Sequence, residues 1–392
     1  MINFSYHAPT KIIFGEDSEL QCAQLLRECG AHKVLVHYGG SSALRSGLLH
    51  RVCQYLQDAR LPYVTLGGVK PNPRLSKVKE GIALAKEEEV DFILALGGGS
   101  VLDSAKAIAY GCVNEGDLWD YYTRKKTITG SLPVGTIATI AAAGSEMSNS
   151  SVITNEEGWL KRGLSTPYGY CRFAILNPSL TATLPLYQTM SGCTDILMHT
   201  MERYFTNEPT MELTDEIAEA LMRTVMKHAR ILLHKPQDLA SRSEILWASE
   251  LSHNGVSGDR TLGDWACHQL EHELSGMFDV AHGAGLAAIW ASWARSVMDV
   301  NPKRFAQYAK NVMQVAEGKD DTETALAGIA ATESFFKEIG MPTCIRELGI
   351  SLSDAQIDEL SEKCTFFHTR TIGGFKKLDY EDIRQIYRKA RS

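Results

Sequence analysis

The stretch that most narrows the choice of fold is Val90-Asp-Phe-Ile-Leu-Ala-Leu96, followed by Gly97-Gly98-Gly99-Ser100 and a segment of small and apolar residues running to about Tyr110. An apolar run broken only by Asp91 suits a strand covered on both faces, as in a parallel sheet. Glycines directly after such a strand let the backbone turn sharply into a helix. The same alternation recurs on the N-terminal side. Lys33–Tyr38 and Pro62–Leu66 read as strands. Ala43–Leu56 and residues 75–89 read as helices, the second carrying Leu75, Val78, Ile82 and Ala85 on one face. Strand–helix alternation predicts a parallel α/β sheet.

The pattern changes near Pro185. Thr189–Phe205, Glu212–Leu233, Leu239–Asn254 and Thr322–Ile339 all read as helices, and strand signals nearly vanish. A chain of 392 residues is too long for one ordinary core. We therefore expect an N-terminal parallel-sheet α/β domain over residues 1–180 and an all-α C-terminal domain over 181–392, divided around Asn177-Pro178. The opening segment, Met1–Phe14, is expected to hold two extended strands around Ala8-Pro9 that are able to pair with another subunit.

Charge and composition exclude several partners. With 40 basic against 47 acidic residues the net charge is −7, which does not favour nucleic acid. Thr127–Ser145 and Phe173–Thr194 carry no charge and are long enough to cross a bilayer. Both are broken by Pro and Gly and rich in Ser and Thr, so neither is read as a membrane helix. The N-terminus lacks the basic start and apolar run of a signal peptide. Nine scattered cysteines with no C-x-x-C fit a reducing cytoplasm rather than a disulfide framework.

The turn at residues 97–100 has a chemical reading. Backbone N–H groups at a helix start, with no Cβ in the way, suit a pyrophosphate. The bland reading is a tight turn in which Ser100 and Asp103 form a capping box. The sequence is neither G-x-G-x-x-G nor a P-loop. A second turn, Gly39-Gly40-Ser41-Ser42, follows a strand where a dinucleotide fold often places an acidic residue on the ribose 2′-hydroxyl. Here no Asp or Glu follows Tyr38 until Asp58. That tolerates a 2′-phosphate, so NADP(H) is favoured over NAD(H), with Arg45 either assisting or merely exposed.

The second half carries metal-type residues. Asp195 and His199 are spaced i, i+4, as are His268 and His272, and His282 stands before a glycine. Imidazoles with one carboxylate suit zinc or ferrous iron. Most of the twelve histidines need no such role, and spacing alone leaves open which four of these five residues bind. Cys193 and Cys267 point away on their helices and are read as small core residues.

Taken in order, Pro71-Asn72-Pro73, Gly97-Gly-Gly-Ser-Val-Leu-Asp103, Gly144-Ser-Glu146, Asn177-Pro178, Gly192-x-x-Asp195-x-x-x-His199, His268-x-x-x-His272 and His282-Gly283 resemble the iron-containing (group III) alcohol dehydrogenase family over nearly the whole chain. The Tyr38–Ser41 turn and the Gly-Ser-Glu-Met segment look most like its NADPH-dependent butanol dehydrogenase and aldehyde reductase branch. The resemblance implies a dehydroquinate synthase-like architecture, a divalent metal (Fe2+ or Zn2+), hydride transfer between nicotinamide and a primary alcohol or aldehyde, and a homodimer. It implies Asp195, His199, His268 and His282 as ligands, leaving His272 near substrate and nicotinamide as a proton relay. It places the cofactor at Gly39, Gly40, Ser41, Asn72, Gly98, Gly99, Ser100, Asp103, Thr139, Ser148, Lys161 and Leu180. One departure is Ala143, where the family often has Thr, which removes a hydroxyl contact. A polyol-phosphate dehydrogenase or lyase of related fold would need basic residues near the metal, for which Arg203 and Arg260 are the nearest candidates. A non-catalytic nucleotide-binding protein would have no need of the metal residues.

Overall fold

Eight strands form in the first half of the computed structural model, which describes residues 3–259 and 261–392. They are β1 (Lys11–Phe14), β2 (Val34–Tyr38), β3 (Tyr63–Leu66), β4 (Phe92–Gly97), β5 (Val134–Ala138), β6 (Ser150–Asn155), β7 (Leu160–Ser165) and β8 (Phe173–Leu176). Six of them make one sheet in the order β1-β8-β5-β4-β2-β3, and every pairing is parallel.

Strand β4 explains its own sequence. Phe92 to Leu96 are fully buried, because successive side chains enter cores on opposite faces. Ile93 and Ala95 pack with Val78, Val101, Ala105 and Ile108 on one face. Phe92, Leu94 and Leu96 pack with Leu25, Leu26, Val52 and Leu56 on the other. Each such large apolar side chain contributes about 1.5–3 kcal/mol on burial. Asp91 falls just outside the strand, where its carboxylate accepts the backbone N–H groups of His32 and Lys33 at 3.0 Å.

Several local expectations change. The helix expected over Ala43–Leu56 is two helices, Ser42–Arg45 and Leu48–Asp58, parted by Gly47 in the left-handed region at φ 71°. The opening segment holds one strand among its described residues, β1, which pairs within the chain with β8. An antiparallel hairpin, β6–β7, had no counterpart in the sequence reading. It is anchored to the Pro71–Arg74 loop by Thr154 N–H donating to Pro73 O at 2.8 Å.

The chain divides into two compact units, Ala8–Thr183 and Leu184–Ser392, with the described residues 3–7 joining the second. The second unit is helical, its only strand-like feature among the described residues being an isolated bridge between Ile372 and Leu378. At its centre lies the Leu186–Tyr204 helix, buried without interruption from Thr189 to Tyr204. A helix wrapped on all sides must bury its polar residues too, and Asp195, His199, Glu202 and Arg203 are among them. The His282–Val297 helix meets it backbone to backbone, since a Cβ on Gly283 would lie 1.9 Å from Ser191 O. No helix of the described residues is long and apolar enough to cross a membrane, and all nine cysteines are free.

Candidate active site

In the α/β unit the chain leaves β2 for a helix on one face of the sheet and leaves β4 for a helix on the other. Neighbouring parallel strands that diverge in this way open a crevice at their carboxyl ends, where such folds bind ligands. Gly39-Gly40-Ser41 and Gly97-Gly98-Gly99 are the two lips. They approach closely: a Cβ on Gly39 would sit 3.5 Å from Val101 Cγ2. Gly40 has open space around it. A Cβ on Gly98 would meet Ile140 Cδ1 at 2.7 Å, and one on Gly99 would meet Ala143 Cβ at 3.5 Å. The residues after β5 therefore wall the glycine turn, with Thr139 N–H bonded to Gly97 O at 3.0 Å.

The Gly99–Val113 helix starts at this turn with Gly98 as its N-cap and no side-chain cap. The capping box between Ser100 and Asp103 is thus not formed, and the helix start keeps its anion-binding character. Asp103 is instead half-buried behind the turn. Its carboxylate accepts Ser145 Oγ–H at 2.8 Å and Val152 N–H at 3.0 Å, so it supports the turn and is not displayed on it. Ser100 and Thr139 are half-buried and Ser41 is exposed. Arg45 donates to Ser41 Oγ. Asn72 is buried with φ 54°. Ser148 and Lys161 are buried, the latter on β7. Leu180 packs beside the same core face as Tyr38, in a short 3-10 turn capped by Asn177.

In the helical unit, three elements bring ligand-type atoms together. The Leu186–Tyr204 helix supplies Asp195, the Ala266–Phe278 helix supplies His268, and His282 opens the next helix. One atom from each lies within 4.8 Å of the others. His268 Nε2 is 3.8 Å and His282 Nε2 3.7 Å from Asp195 Oδ1. Both Asp195 Oδ1 and His268 Nε2 are buried without a hydrogen-bond partner. Buried polar atoms are rarely left unsatisfied, and an anionic oxygen facing imidazole nitrogens at these distances is the donor set that a divalent cation satisfies. The residues fit such an ion.

Two carboxylates that the sequence reading missed set the nitrogens. Glu202 Oε1 accepts His268 Nδ1–H at 2.8 Å and the His268 backbone N–H at 2.9 Å. Glu271, fully buried, is bonded to His282 Nδ1. Each bond occupies Nδ1 and turns Nε2 toward Asp195. Glu271, His272 and His282 also lie close enough to form a metal-type group, but the Glu271–His282 bond favours the Asp195 group. The half-buried His272 ring stands 6.5 Å from that of His268 and 5.8 Å from that of His282. The spacing did hold a signal for both acids: Glu202 lies three residues beyond His199, and Glu271 three beyond His268.

His199 stands beside this group and outside it. Its Nδ1–H is directed at Asp195 O at 3.0 Å, so its 3.1 Å approach to Oδ1 is an electrostatic contact and no second hydrogen bond. Its ring centroid is 4.4 Å from that of His268. Burial opposes ionisation of Asp195, but the facing histidines override it and hold the carboxyl well below the usual range. Burial pushes His199 down to about 4 against the pull of Asp195. Burial acts the same way on His268, yet the facing Asp195 carboxylate and the bonded Glu202 prevail and raise it to about 9. Burial pushes the Cys193 thiol up to about 12 and the Cys267 thiol well above its usual value, as inert core groups.

Arg203 is buried, donating to the carbonyls of His199 at 2.9 Å and His253 at 3.3 Å, with its guanidinium 4.8 Å from the centre of the Trp265 ring. It is therefore tied into the framework and does not offer a phosphate site; Arg260 lies outside the described residues. Trp265 holds a left-handed conformation at φ 62°, strained for a bulky residue. Asp264 fixes it by accepting Ala266 N–H at 2.9 Å and Phe375 N–H at 2.8 Å.

An uncapped glycine turn at the crevice of a parallel sheet and a buried Asp–His–His group in a helical unit together define the class: a metal-dependent dinucleotide enzyme. The iron-containing alcohol dehydrogenase model matches residues 9–178, and the C-terminal model of the Fe-containing alcohol dehydrogenase family matches residues 189–391. The chain belongs to the iron-containing alcohol dehydrogenase family. It is 40% identical to a probable NADH-dependent butanol dehydrogenase of Bacillus subtilis, over 98% of this chain and 99% of the relative. It is 33% identical to the NADPH-dependent aldehyde reductase YqhD of Escherichia coli, over the full length of both. The crystal structure of NADH-dependent butanol dehydrogenase A from Thermotoga maritima superposes with a TM-score of 0.95 at 38% identity, covering 100% of this chain and 99% of that one. Alcohol dehydrogenase or aldehyde reductase activity with a nicotinamide cofactor follows from this membership.

Proposed function

We propose that the protein interconverts primary alcohols and aldehydes of the butanol type, using NADP(H) in preference to NAD(H) and one Fe2+ or Zn2+ ion held by the Asp195, His268 and His282 group, with the neighbouring His199 joining as the fourth ligand once the ion is bound. The observation that carries the reading is the pair of buried, unsatisfied atoms Asp195 Oδ1 and His268 Nε2 aimed at a common point with His282. When bound, the ion supplies Lewis-acid polarisation of a substrate oxygen and the nicotinamide supplies or accepts hydride. Asp195 provides the negative charge that offsets the cation. Glu202 and Glu271 hold protons on Nδ1 of His268 and His282, which keeps Nε2 as the lone-pair donor. His272, one helical turn beyond His268, takes the alcohol proton on its ring and passes it toward solvent. The amides of Gly98, Gly99 and Ser100 seat the pyrophosphate; Gly39, Gly40 and Ser41 receive the adenosine ribose; Asn72, Thr139, Ser148, Lys161 and Leu180 line the remainder.

The absence of any acid from Gly39 through Gln57 supports NADP(H), as does Arg45 beside Ser41. One observation favours NADH instead: relatives from Bacillus subtilis and Clostridium acetobutylicum at 40% and 36% identity are named NADH-dependent. The deciding experiment is a panel of short and medium aldehydes with NADPH and NADH, on protein stripped and then reloaded with iron or zinc. The expected result is a higher kcat/KM with NADPH, activity lost on chelation and regained on reloading, and loss of metal and turnover together in His199→Ala. An active, metal-free enzyme sinks the metal assignment. The proposed homodimer is read by sedimentation of the same preparation.

A further inference from the structure

Two turns into the helix that starts at the glycine turn, Lys106 is almost fully buried. Its Nζ donates to Ser145 O at 2.7 Å, Ser148 O at 2.8 Å, Ser150 O at 3.0 Å and Ser145 Oγ at 3.1 Å. All of these are oxygens of the segment 145–150, and none is a carboxylate. An ammonium has three N–H donors, so one of them is shared and every donor is committed. Asp103 lies one turn earlier on the same helical face. It grips the same segment through Ser145 Oγ and the chain just beyond its far end through Val152 N–H. The Ser145 hydroxyl joins the two, accepting from Lys106 and donating to Asp103.

Burying an ammonium is costly unless it is fully hydrogen-bonded. A methionine would fill the volume without that cost, so packing alone does not account for a lysine here. What the charge does is geometric. Gly144 is left-handed at φ 61°, and Ser145–Met147 form a single 3-10 turn with few apolar anchors. Carbonyls of such a turn do not converge on one point without a cation to receive them. Burial pushes the carboxyls of Asp103 and Glu146 up, the latter to about 7, and the nearby Lys106 charge opposes both shifts.

We propose that Lys106 is a positioning residue for the dinucleotide: with Asp103 it clamps the segment 145–150 to the helix behind the glycine turn, fixing Ser148 relative to the amides of Gly98 and Gly99. The inference rests on the reading that NAD(P)H binds at that turn. It assigns the motif's Asp103 and Lys106 to the underside of the site, acting through backbone carbonyls and without touching the cofactor.

The test uses the full-length protein and NADPH as the probe. Nicotinamide fluorescence gives the Kd, steady-state rates give kcat and KM, and amide hydrogen exchange is followed over residues 144–152. In Lys106→Met the Kd and KM for NADPH are expected to rise about ten-fold or more, the scale of hydrogen bonds to a charged group. The kcat at saturating NADPH and the KM for aldehyde stay within about two-fold, and exchange speeds up over 144–152 before other segments. A purely structural lysine would lower the melting temperature while leaving the Kd of folded protein unchanged, and that result overturns the proposal. If Lys106→Met does not fold, Ser145→Ala decides: a raised NADPH Kd supports the clamp, and wild-type binding overturns it. Wild-type protein that binds neither NADPH nor NADH would refute the dinucleotide reading itself, a separate failure.

Discussion

Replacing Glu202 by Gln tests whether a buried carboxylate aims His268 at the metal group. One oxygen, Oε1, accepts both the His268 backbone N–H at 2.9 Å and Nδ1–H at 2.8 Å. Gln offers a carbonyl of the same shape without the charge. A hydrogen bond to a charged group contributes about 1.5–3 kcal/mol and a neutral one about 1 kcal/mol, so the ring loses about 0.5–2 kcal/mol of orienting energy. That is roughly a 2- to 30-fold loss in zinc affinity, its upper part within the 10–100-fold commonly seen for such outer carboxylates. Stability moves differently. Burial, and then the charge of Glu202, push the neighbouring Asp264 carboxyl up to about 7. Gln removes that repulsion but also the charge that pairs with His268, so the metal-free variant should melt below the metal-free wild type by less than the lost bond alone implies. The assay is zinc competition against a chromophoric chelator, paired with melting of the chelated protein. A folded Glu202→Gln protein with unchanged zinc affinity would refute the orienting role.

Two further outcomes are expected. His37 is buried in β2 between Leu66 O at 3.0 Å and Ser104 Oγ at 2.9 Å, with Lys77 and Glu80 acting on it from a distance; burial lowers it from 6.5 to about 4. Because the folded value lies below the unfolded one, its contribution is complete above pH 6.5 and is lost progressively down to about pH 4. Urea titrations should therefore show wild type losing about 3 kcal/mol more than His37→Gln across that window; parallel curves would contradict this. Gly283→Ala forces a Cβ to within 1.9 Å of Ser191 O, where overpacking typically costs about 1–3 kcal/mol. Both the melting temperature and zinc affinity should drop, since His282 is the adjacent residue, and an unchanged melt would show that the two helices separate without cost.

How much of this was legible beforehand varied with the physics of each element. β4 and its glycine turn were readable because both faces of the strand are buried and the pattern has no gaps. The β6–β7 hairpin was not, because its buried side chains include Ser151, Thr154, Lys161 and Arg162, so a search for apolar alternation finds nothing. Gly47 broke a helix that composition alone would continue. The i, i+4 pairs marked out Asp195, His199, His268 and His272 as candidates, yet spacing cannot say which ring nitrogen faces inward.

The sequence by itself determined the division into an α/β half and a helical half, the glycine turn, and the set of metal-type residues, since each is written in local periodicity or spacing. Only the tertiary structure decided that Asp103 faces backward into Ser145 and Val152, that Lys106 is enclosed by carbonyls, and that Glu202 and Glu271 spend the Nδ1 atoms of His268 and His282. The reason is that a side chain's direction is fixed by what it meets across the fold, and those partners sit as many as 66 residues away along the chain.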